Sequence, residues 1–340
     1  GRADGVRCID RVGGGELEVR ADNVVNATGV WADRIRPDEL YEAEEVPRIR
    51  PSRGTHVTVA TESLPMDLAG TIVPAGGGRT IFVLPWLGRT LIGTTDRDYE
   101  GDLEHVAPDR EDVAYLLEAS GRFFGVELDR SHLTGAYAGV RPLISTGDPK
   151  KSVDISRKAE LYETASGMLT ITGGKLTTWR RMAKLAVDRL AEREGREAPC
   201  RTEVIPLGQP AVEEELPRVE GVDEESRAHL ADRYGHAAID VLALCQAEPR
   251  LARRLTPDLP DLVAEAAFAA QREQALTVGD VLLRRTRVAL LDARACAGDG
   301  ETPRLVAEAL GTEQGWDAGR VASELAGWAE EARAEGVAEP

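Results

Sequence analysis

The stretch ITGGKLTTWR, residues 171–180, is the part of the sequence that says most about the fold. An apolar run ends in two glycines, and a lysine and a helix-like segment follow. A strand, a tight glycine turn and a helix start expose backbone N–H groups and the positive end of the helix dipole. Such a turn suits an anion, or a carbonyl that gains negative charge during a reaction. An ordinary structural turn explains this stretch equally well when it is taken alone.

The glycines and lysine of this stretch do not form a nucleotide-binding P-loop. That motif has the pattern G-x-x-x-x-G-K-[ST]. Leu169 stands where the first glycine would be required, and Leu176 stands in place of the serine or threonine. The mismatch at both ends excludes this class of site.

Composition limits the function further. The chain has 340 residues, 42% of them hydrophobic, and a formal net charge of −17. This is enough for two or three folded domains, and the negative charge argues against a partner made of nucleic acid. The four cysteines, Cys8, Cys200, Cys245 and Cys296, are far apart. No metal site and no disulfide framework are therefore predicted.

The order of strand and helix patterns predicts a mixed α/β and α+β protein. Residues 6–12 and 16–20 flank three glycines and predict a hairpin. Short runs rich in Val, Ile and Thr fill most of residues 48–144, and the acidic start and apolar spacing of residues 109–124 predict one helix among them. A further helix is expected over residues 177–194. We predict a first domain of residues 1–46 and 160–203, an inserted β-rich domain of residues 47–159, and a helical domain of residues 204–340.

Three other motifs carry polar groups whose role is open at this point. The strand in NVVNATGVWAD, residues 23–33, ends in a small-residue turn that a ligand could approach, although many strands end in this way. Arg141, in AGVRPL, would need a carboxylate or phosphate partner if its strand is buried. A structural salt bridge is the alternative. His56, in SRGTHVTV, is a candidate base or a residue on a strand surface.

Taken together and in this order, the segments VVNATGVWAD, RGTHVTV, FVLPWLGRTLIGTTDRDY, AGVRPL and LTITGGKLTTWRRMAK resemble the FAD-dependent glycerol-3-phosphate dehydrogenases and related oxidases. The resemblance extends from about Val6 to the end of the chain. IGTTD and GGKLTTWR are its most specific parts, whereas NATG and GVRP are shared with flavin amine and amino-acid oxidases. It implies part of a glutathione-reductase-like FAD-binding domain, an inserted antiparallel sheet that binds substrate, and a helical C-terminal domain.

The function implied by this resemblance is oxidation of sn-glycerol 3-phosphate to dihydroxyacetone phosphate, with FAD as cofactor and a quinone as electron acceptor. An oxidase that uses oxygen and an amine or amino-acid oxidase are alternatives. In a further alternative, the helical segment is mainly a docking module. The resemblance also implies a cytoplasmic protein, with peripheral contact with the cytoplasmic membrane and a homodimer as further expectations.

The family's motifs assign roles to single residues of this chain. Arg141 is expected to hold the substrate phosphate, with Arg157 as a weaker second candidate. Lys175 would polarise the substrate or offset charge on the flavin, and His56 is the candidate base. The residues expected to contact FAD are Ala27, Thr28, Gly29, Trp31, Gly173, Gly174, Lys175, Leu176 and Thr177.

The family's G-x-G-x-x-G turn, which holds the FAD pyrophosphate, has no counterpart in this sequence. We therefore expect the chain to be a fragment with an uncovered sheet edge. Expressed alone, it should be aggregation-prone and colourless, which size-exclusion chromatography and a visible absorption spectrum would check. A soluble yellow product with stoichiometric FAD would contradict this expectation.

Overall fold

The computed structural model describes residues 1–35, 48–66, 69–145, 159–298 and 300–337. The chain divides into two compact units. The first consists of Gly1–Arg53, Arg97–Leu103 and Val140–Pro206, and the second of Gly54–Asp96, Glu104–Gly139 and Leu207–Pro340. The second unit thus holds both β-rich and helical residues. The division of the chain into three domains stays a prediction.

Strands and helices alternate in the mixed manner that the sequence predicts. The strands are β1 (Gly5–Ile9), β2 (Glu16–Arg20), β3 (Val25–Asn26), β4 (Arg48–Ala60), β5 (Thr71–Pro74), β6 (Thr80–Trp86), β7 (Arg89–Gly93), β8 (Arg97–Asp98), β9 (Leu133–Ser145), β10 (Ala159–Glu163) and β11 (Leu169–Gly173). The α-helices are α1 (Arg110–Phe124), α2 (Trp179–Arg193), α3 (Glu224–Tyr234), α4 (Ala238–Ala247), α5 (Val263–Arg272), α6 (Val288–Leu291), α7 (Ala293–Cys296), α8 (Glu301–Gln314) and α9 (Ala318–Ala334).

The first unit begins with the hairpin that the glycine-rich sequence predicts. β1 pairs antiparallel with β2. β1 ends before the predicted Val12 because the carboxylate of Asp10 turns the chain. It accepts hydrogen bonds from the backbone N–H of Val12 and Gly13 at 2.8 and 2.9 Å. The hydrogen bonds from Gly13 and Val12 stabilise the charged form and lower the pKa of Asp10.

A three-stranded sheet forms the centre of the first unit, in the order β10-β11-β3. β10 and β11 are antiparallel, whereas β11 and β3 are parallel. Helix α2 supplies Ala186, which is buried with Leu169 and Ile171 of β11, and Met182 and Leu190 pack against this small core. The predicted helix over residues 177–194 is thus confirmed, with its α-helical part beginning at Trp179.

The second unit contains antiparallel strands in the order β5-β6-β7-β4, and β9 also pairs with β4. Alternate residues of these strands, among them Val57, Val83 and Ile92, are buried against Val113 and Leu116 of α1. Burial of one face of a sheet under a helix explains why these strands are rich in β-branched residues.

Helix α1 has the bounds that its sequence predicts because a capping residue stands at each of its ends. The side chain of Asp109 accepts a hydrogen bond from the backbone N–H of Glu111 at 2.8 Å, which caps the start. Gly125, with φ of 71°, adopts the left-handed conformation that ends the helix. The prediction of a helix over residues 109–124 is confirmed.

The helical part of the second unit surrounds a second apolar core. Its largest fully buried side chain is Trp328, whose Nε1 donates a hydrogen bond to the carbonyl of Cys296 at 2.9 Å. Within the predicted helical domain, the pattern VGDVLLRRTRVALLDARA of residues 278–295 predicts one helix, and this prediction is wrong. A π-helical turn at Asp280–Arg285 is followed by the short α6 and α7, because the backbone of Arg287 is left-handed, with φ of 63°.

No helix in the described part of the chain combines the length and the apolar character that a membrane crossing requires.

A buried ion-pair network ties three elements of the second unit together. Nη1 of Arg233 on α3 donates to Asp261 at 2.6 Å and to Glu265 on α5 at 2.7 Å, and Nη2 donates to the carbonyl of Thr286 at 3.0 Å. Both carboxylates are almost fully buried. Burial raises the pKa of Asp261. At Glu265 the effect of burial is outweighed by the nearby His229 and Arg233, which lower its pKa.

Replacement of Arg233 by methionine should lower the free energy of unfolding by roughly 3–5 kcal/mol, because two buried carboxylates lose their counter-charge. Urea unfolding monitored by circular dichroism would measure this change. The matched control is Arg253→Met, since Arg253 pairs with Glu301 and both side chains are exposed. That control should cost less than about 1 kcal/mol. Equal losses in the two variants would show that the buried network does not stabilise the second unit.

Candidate functional site

The candidate site of the first unit lies where two neighbouring parallel strands end. Leu169 pairs with Val25 and Thr170 with Asn26, so β11 and β3 run in the same direction side by side. The carboxyl ends of adjacent parallel strands lie at one edge of the sheet, where α/β proteins commonly bind ligands. The segments that follow Asn26 and Gly173 therefore meet at this edge. The pairing brings together the two groups of residues that the sequence predicts to contact a cofactor.

Buried Asn26 organises the first of these segments. Its Oδ1 accepts hydrogen bonds from the hydroxyl and the backbone N–H of Thr28, at 2.7 and 3.3 Å. Its Nδ2 donates to the carbonyl of Ala32 at 3.0 Å. Gly29 has φ of 62° and begins a 3-10 helix, and an added Cβ would meet no atom within 4 Å. A buried side chain thus holds a turn whose outer surface is open.

The second segment turns sharply at two glycines with positive φ. Gly173 and Gly174 both have φ of 72°. A side chain at Gly174 would strike helix α2, since an added Cβ would lie 2.5 Å from Sδ of Met182. Thr178 stabilises the following turn, because its hydroxyl donates a hydrogen bond to the carbonyl of Lys175 at 2.8 Å. Glycine at position 174 is therefore required both by the backbone and by the close approach of α2.

The side chains beyond this turn project into solvent. Lys175 and Thr177 are exposed, and 88% of Leu176 and 52% of Trp179 are exposed. An apolar surface beside a cation suits a flat aromatic group that has an electron-rich edge. The geometry therefore fits the predicted role of Gly173 to Thr177, which stays a prediction.

Two arginines are predicted to bind the substrate phosphate, and one of them, Arg141, lies in the first unit. Arg141 is on β9 and is partly buried. The predicted second phosphate ligand, Arg157, lies outside the described residues.

His56, the predicted base, lies on β4 in the second unit and is partly buried. Its ring stacks on Tyr137 with centroids 5.0 Å apart and an angle of 10° between the planes. Gly93 makes room for this histidine, since a Cβ there would lie 2.2 Å from Cδ2 of His56. Burial raises the pKa of Tyr137 to about 12. The phenol is thus neutral at physiological pH, and its ring packs parallel to the imidazole.

The sequence reading missed a second cluster of titratable groups, in the second unit. Nε2 of His229 lies 3.6 Å from Asp261 and 3.5 Å from Glu265, and one ligand atom from each of the three residues falls within 4.8 Å of the others. His229 and Arg233 stand four residues apart, as do Asp261 and Glu265. These two four-residue spacings are the sequence signal from which the cluster could have been predicted. Because Arg233 donates to both carboxylates, the cluster is a buried ion-pair network in which both carboxylates already have a cationic partner.

Two protein-family models match the chain. The model described as FAD dependent oxidoreductase matches residues 2–180. The model described as the C-terminal domain of alpha-glycerophosphate oxidase matches residues 168–321. The two matches together cover the β-rich and most of the helical sequence.

Curated proteins similar to the chain include two that are named glycerol-3-phosphate dehydrogenases. Glycerol-3-phosphate dehydrogenase 2 of Mycobacterium bovis is 34% identical over 98% of this chain and 57% of its own length. The mitochondrial glycerol-3-phosphate dehydrogenase of Mesocricetus auratus is 33% identical over 95% of this chain and 45% of its own length. The chain thus spans about half the length of these relatives.

A solved structure shares the fold. The glycerol-3-phosphate dehydrogenase of Bacillus halodurans, complexed with FAD, matches with a TM-score of 0.77 and 25% sequence identity. The match covers 99% of this chain and 66% of that one. It confirms the predicted fold class, and the relatives above confirm the resemblance drawn from the motifs. Since the oxidoreductase model matches more than half of the residues, the chain belongs to the FAD dependent oxidoreductase family.

Proposed function

We propose that the protein containing this chain oxidises sn-glycerol 3-phosphate to dihydroxyacetone phosphate, with FAD as its cofactor. The observation that carries this proposal is the pair of glycine turns at the ends of the parallel β3 and β11, with Lys175 directly after the second turn. The similarity to proteins named glycerol-3-phosphate dehydrogenase supports the choice of substrate.

The residues of the first unit fit a flavin. The turns at Gly29 and Gly173–Gly174 carry no side chains, and Leu176 and Trp179 offer exposed apolar surface. Ala27, Thr28 and Trp31 from one segment, and Gly173 to Thr177 from the other, would hold the ring. When bound, FAD would supply the two-electron acceptor.

The chain's own residues would position the substrate and accept its proton. The planar guanidinium of Arg141 matches phosphate oxygens, and Arg157 is proposed as a second contact. Lys175 would polarise the C2 oxygen. In the reaction the C2–H bond breaks as hydrogen leaves with both bonding electrons, the C2–O bond becomes a carbonyl, and the hydroxyl proton passes to the imidazole of His56. Stacking on Tyr137 keeps that imidazole in one orientation.

The finer assignments rest on the resemblance to the family. We propose a quinone as electron acceptor, together with peripheral contact with the cytoplasmic membrane and a homodimer. The match to the C-terminal domain of alpha-glycerophosphate oxidase favours oxygen as the alternative acceptor.

The substrate can be tested by dye reduction with the protein that contains this chain. Glycerol 3-phosphate should reduce the dye at least tenfold faster than glycerol or any member of a panel of amino acids, because a phosphate site adds about 1.5–3 kcal/mol of charge-assisted binding. Fast reduction by an amino acid, with none by glycerol 3-phosphate, would replace the proposal by an amino-acid oxidase. Oxygen consumption in place of dye reduction would identify an oxidase.

Replacement of Arg141 by alanine should raise KM for glycerol 3-phosphate roughly 10- to 100-fold and change KM for glycerol little, because only the first substrate carries a phosphate. Steady-state kinetics with both substrates would measure this. The control is Arg196→Ala, since Arg196 is an exposed arginine of the same unit that pairs with Glu194. Equal losses on both substrates would argue against a phosphate contact at Arg141.

A further inference from the structure

A cavity of about 1020 Å³ lies within the second unit, between the β-rich and the helical residues. Ionisable side chains on its wall include Arg89, His229, Arg233, Asp261 and Arg287. None of His56, Arg141 and Lys175, the residues proposed for the oxidation, lines it. Any function of this cavity is therefore additional to the proposed reaction.

Arg287 is an arginine on the cavity wall whose side chain makes no hydrogen bond or ion pair with the residues that the structure describes. It is partly buried, and its Nε lies away from solvent without a hydrogen-bond acceptor in the described part of the chain. Burial and the charge of Arg233 lower the pKa of Arg287, and the charge of Asp261 offsets only part of this effect. A desolvated guanidinium is costly unless an anion compensates its charge.

Arg89 adds a second positive charge to the same wall. It is 9% exposed, and its Nε donates to the carbonyl of Leu291 at 3.0 Å and its Nη1 to the carbonyl of Gly88 at 3.4 Å. Both acceptors are main-chain oxygens, and no carboxylate pairs with Arg89 in the described ranges. Leu291 closes the short helix that Arg287 begins, so helix α6 connects the two arginines.

The buried charges around the cavity do not balance. Three guanidinium groups, those of Arg89, Arg233 and Arg287, accompany two buried carboxylates, Asp261 and Glu265. Arg233 binds both carboxylates, and these three groups together carry one net negative charge against the two positive charges of Arg89 and Arg287, so one guanidinium charge is left uncompensated within this set. The remaining acidic residues of the wall, Glu62, Glu225, Asp232 and Asp258, are exposed to water.

We propose that this cavity binds a small phosphate-bearing anion, with Arg287 as its principal ligand and Arg89 as a second positive charge. A phosphate supplies several acceptor oxygens to a guanidinium and more negative charge than a carboxylate. The volume is slightly above the usual range for small-molecule sites, about 300–1,000 Å³, so it admits both free phosphate and a phosphate monoester with a short carbon skeleton and does not select between them. A metal ion does not suit the cavity, because Arg233 occupies both buried carboxylates.

Isothermal titration calorimetry with inorganic phosphate at constant ionic strength tests this site. The titrations would use the Arg141→Ala background, which removes the phosphate contact proposed for the reaction. We expect one phosphate per chain, and Arg287→Gln should weaken its Kd about tenfold, the usual order for loss of one charge-assisted contact. Arg284→Gln is the matched control, because Arg284 lies three residues earlier, is exposed and pairs with Glu331. An unchanged Kd in Arg287→Gln would overturn the proposal.

Two further arms identify the anion. Glycerol 2-phosphate that binds at least as tightly as inorganic phosphate would assign the site to phosphate esters, and weaker binding would assign it to free phosphate. Both results support the proposal. Acetate that binds as tightly as phosphate would overturn the assignment to phosphate.

A second measurement needs no variant and so does not depend on how a substitution affects folding. Phenylglyoxal modifies arginine side chains, and mass spectrometry of peptides reports the rate at each site. Phosphate should slow modification of Arg287 and leave Arg284 unaffected. The same rate at Arg287 with and without phosphate would contradict the proposal. Loss of glycerol 3-phosphate oxidation would leave both measurements interpretable, because neither reads activity.

Discussion

The parallel pairing of β11 with β3 is the constraint on which the candidate cofactor site depends. Only two residue pairs, Leu169 with Val25 and Thr170 with Asn26, define it, yet they set two segments that are more than 140 residues apart in sequence at one sheet edge. A shift of one residue would turn each side chain of β3 to the other face. Asn26 would then lose its burial and its hydrogen bonds to Thr28 and Ala32. Register and loop shape are thus fixed by the same short strand.

Compensation of buried charge shapes the second unit. Arg233 meets two carboxylates and a carbonyl at hydrogen-bonding distance, and this joins α3 to α5 and to the turn at Thr286. Arg287 follows that turn directly but has no such partner among the described residues. One arginine therefore has the contacts of a structural ion pair, and the other has the features of a ligand contact. The two arginines differ in this way although they line the same cavity.

The sequence predicts well those features that depend on near neighbours. Asp109 and Gly125 mark the ends of α1, and the glycines at 13–15 mark the first hairpin. The glycine-lysine turn is also recognisable, because its pattern lies within ten residues. The stacking of His56 on Tyr137 could not be predicted, since it joins strands about 80 residues apart. The break at Arg287 escaped prediction as well, because arginine is a good helix former and only tertiary contacts impose its left-handed backbone.

That left-handed backbone carries an evolutionary implication. A non-glycine residue with φ of 63° is less favourable than glycine by on the order of 1–2 kcal/mol. Selection for thermal stability alone would therefore favour glycine at position 287, and the guanidinium would be lost from the cavity wall. With the anion site proposed above, an arginine at this position exchanges some stability for recognition. Position 287 is thus where a heat-adapted version of this protein and one that keeps its anion site would be expected to diverge.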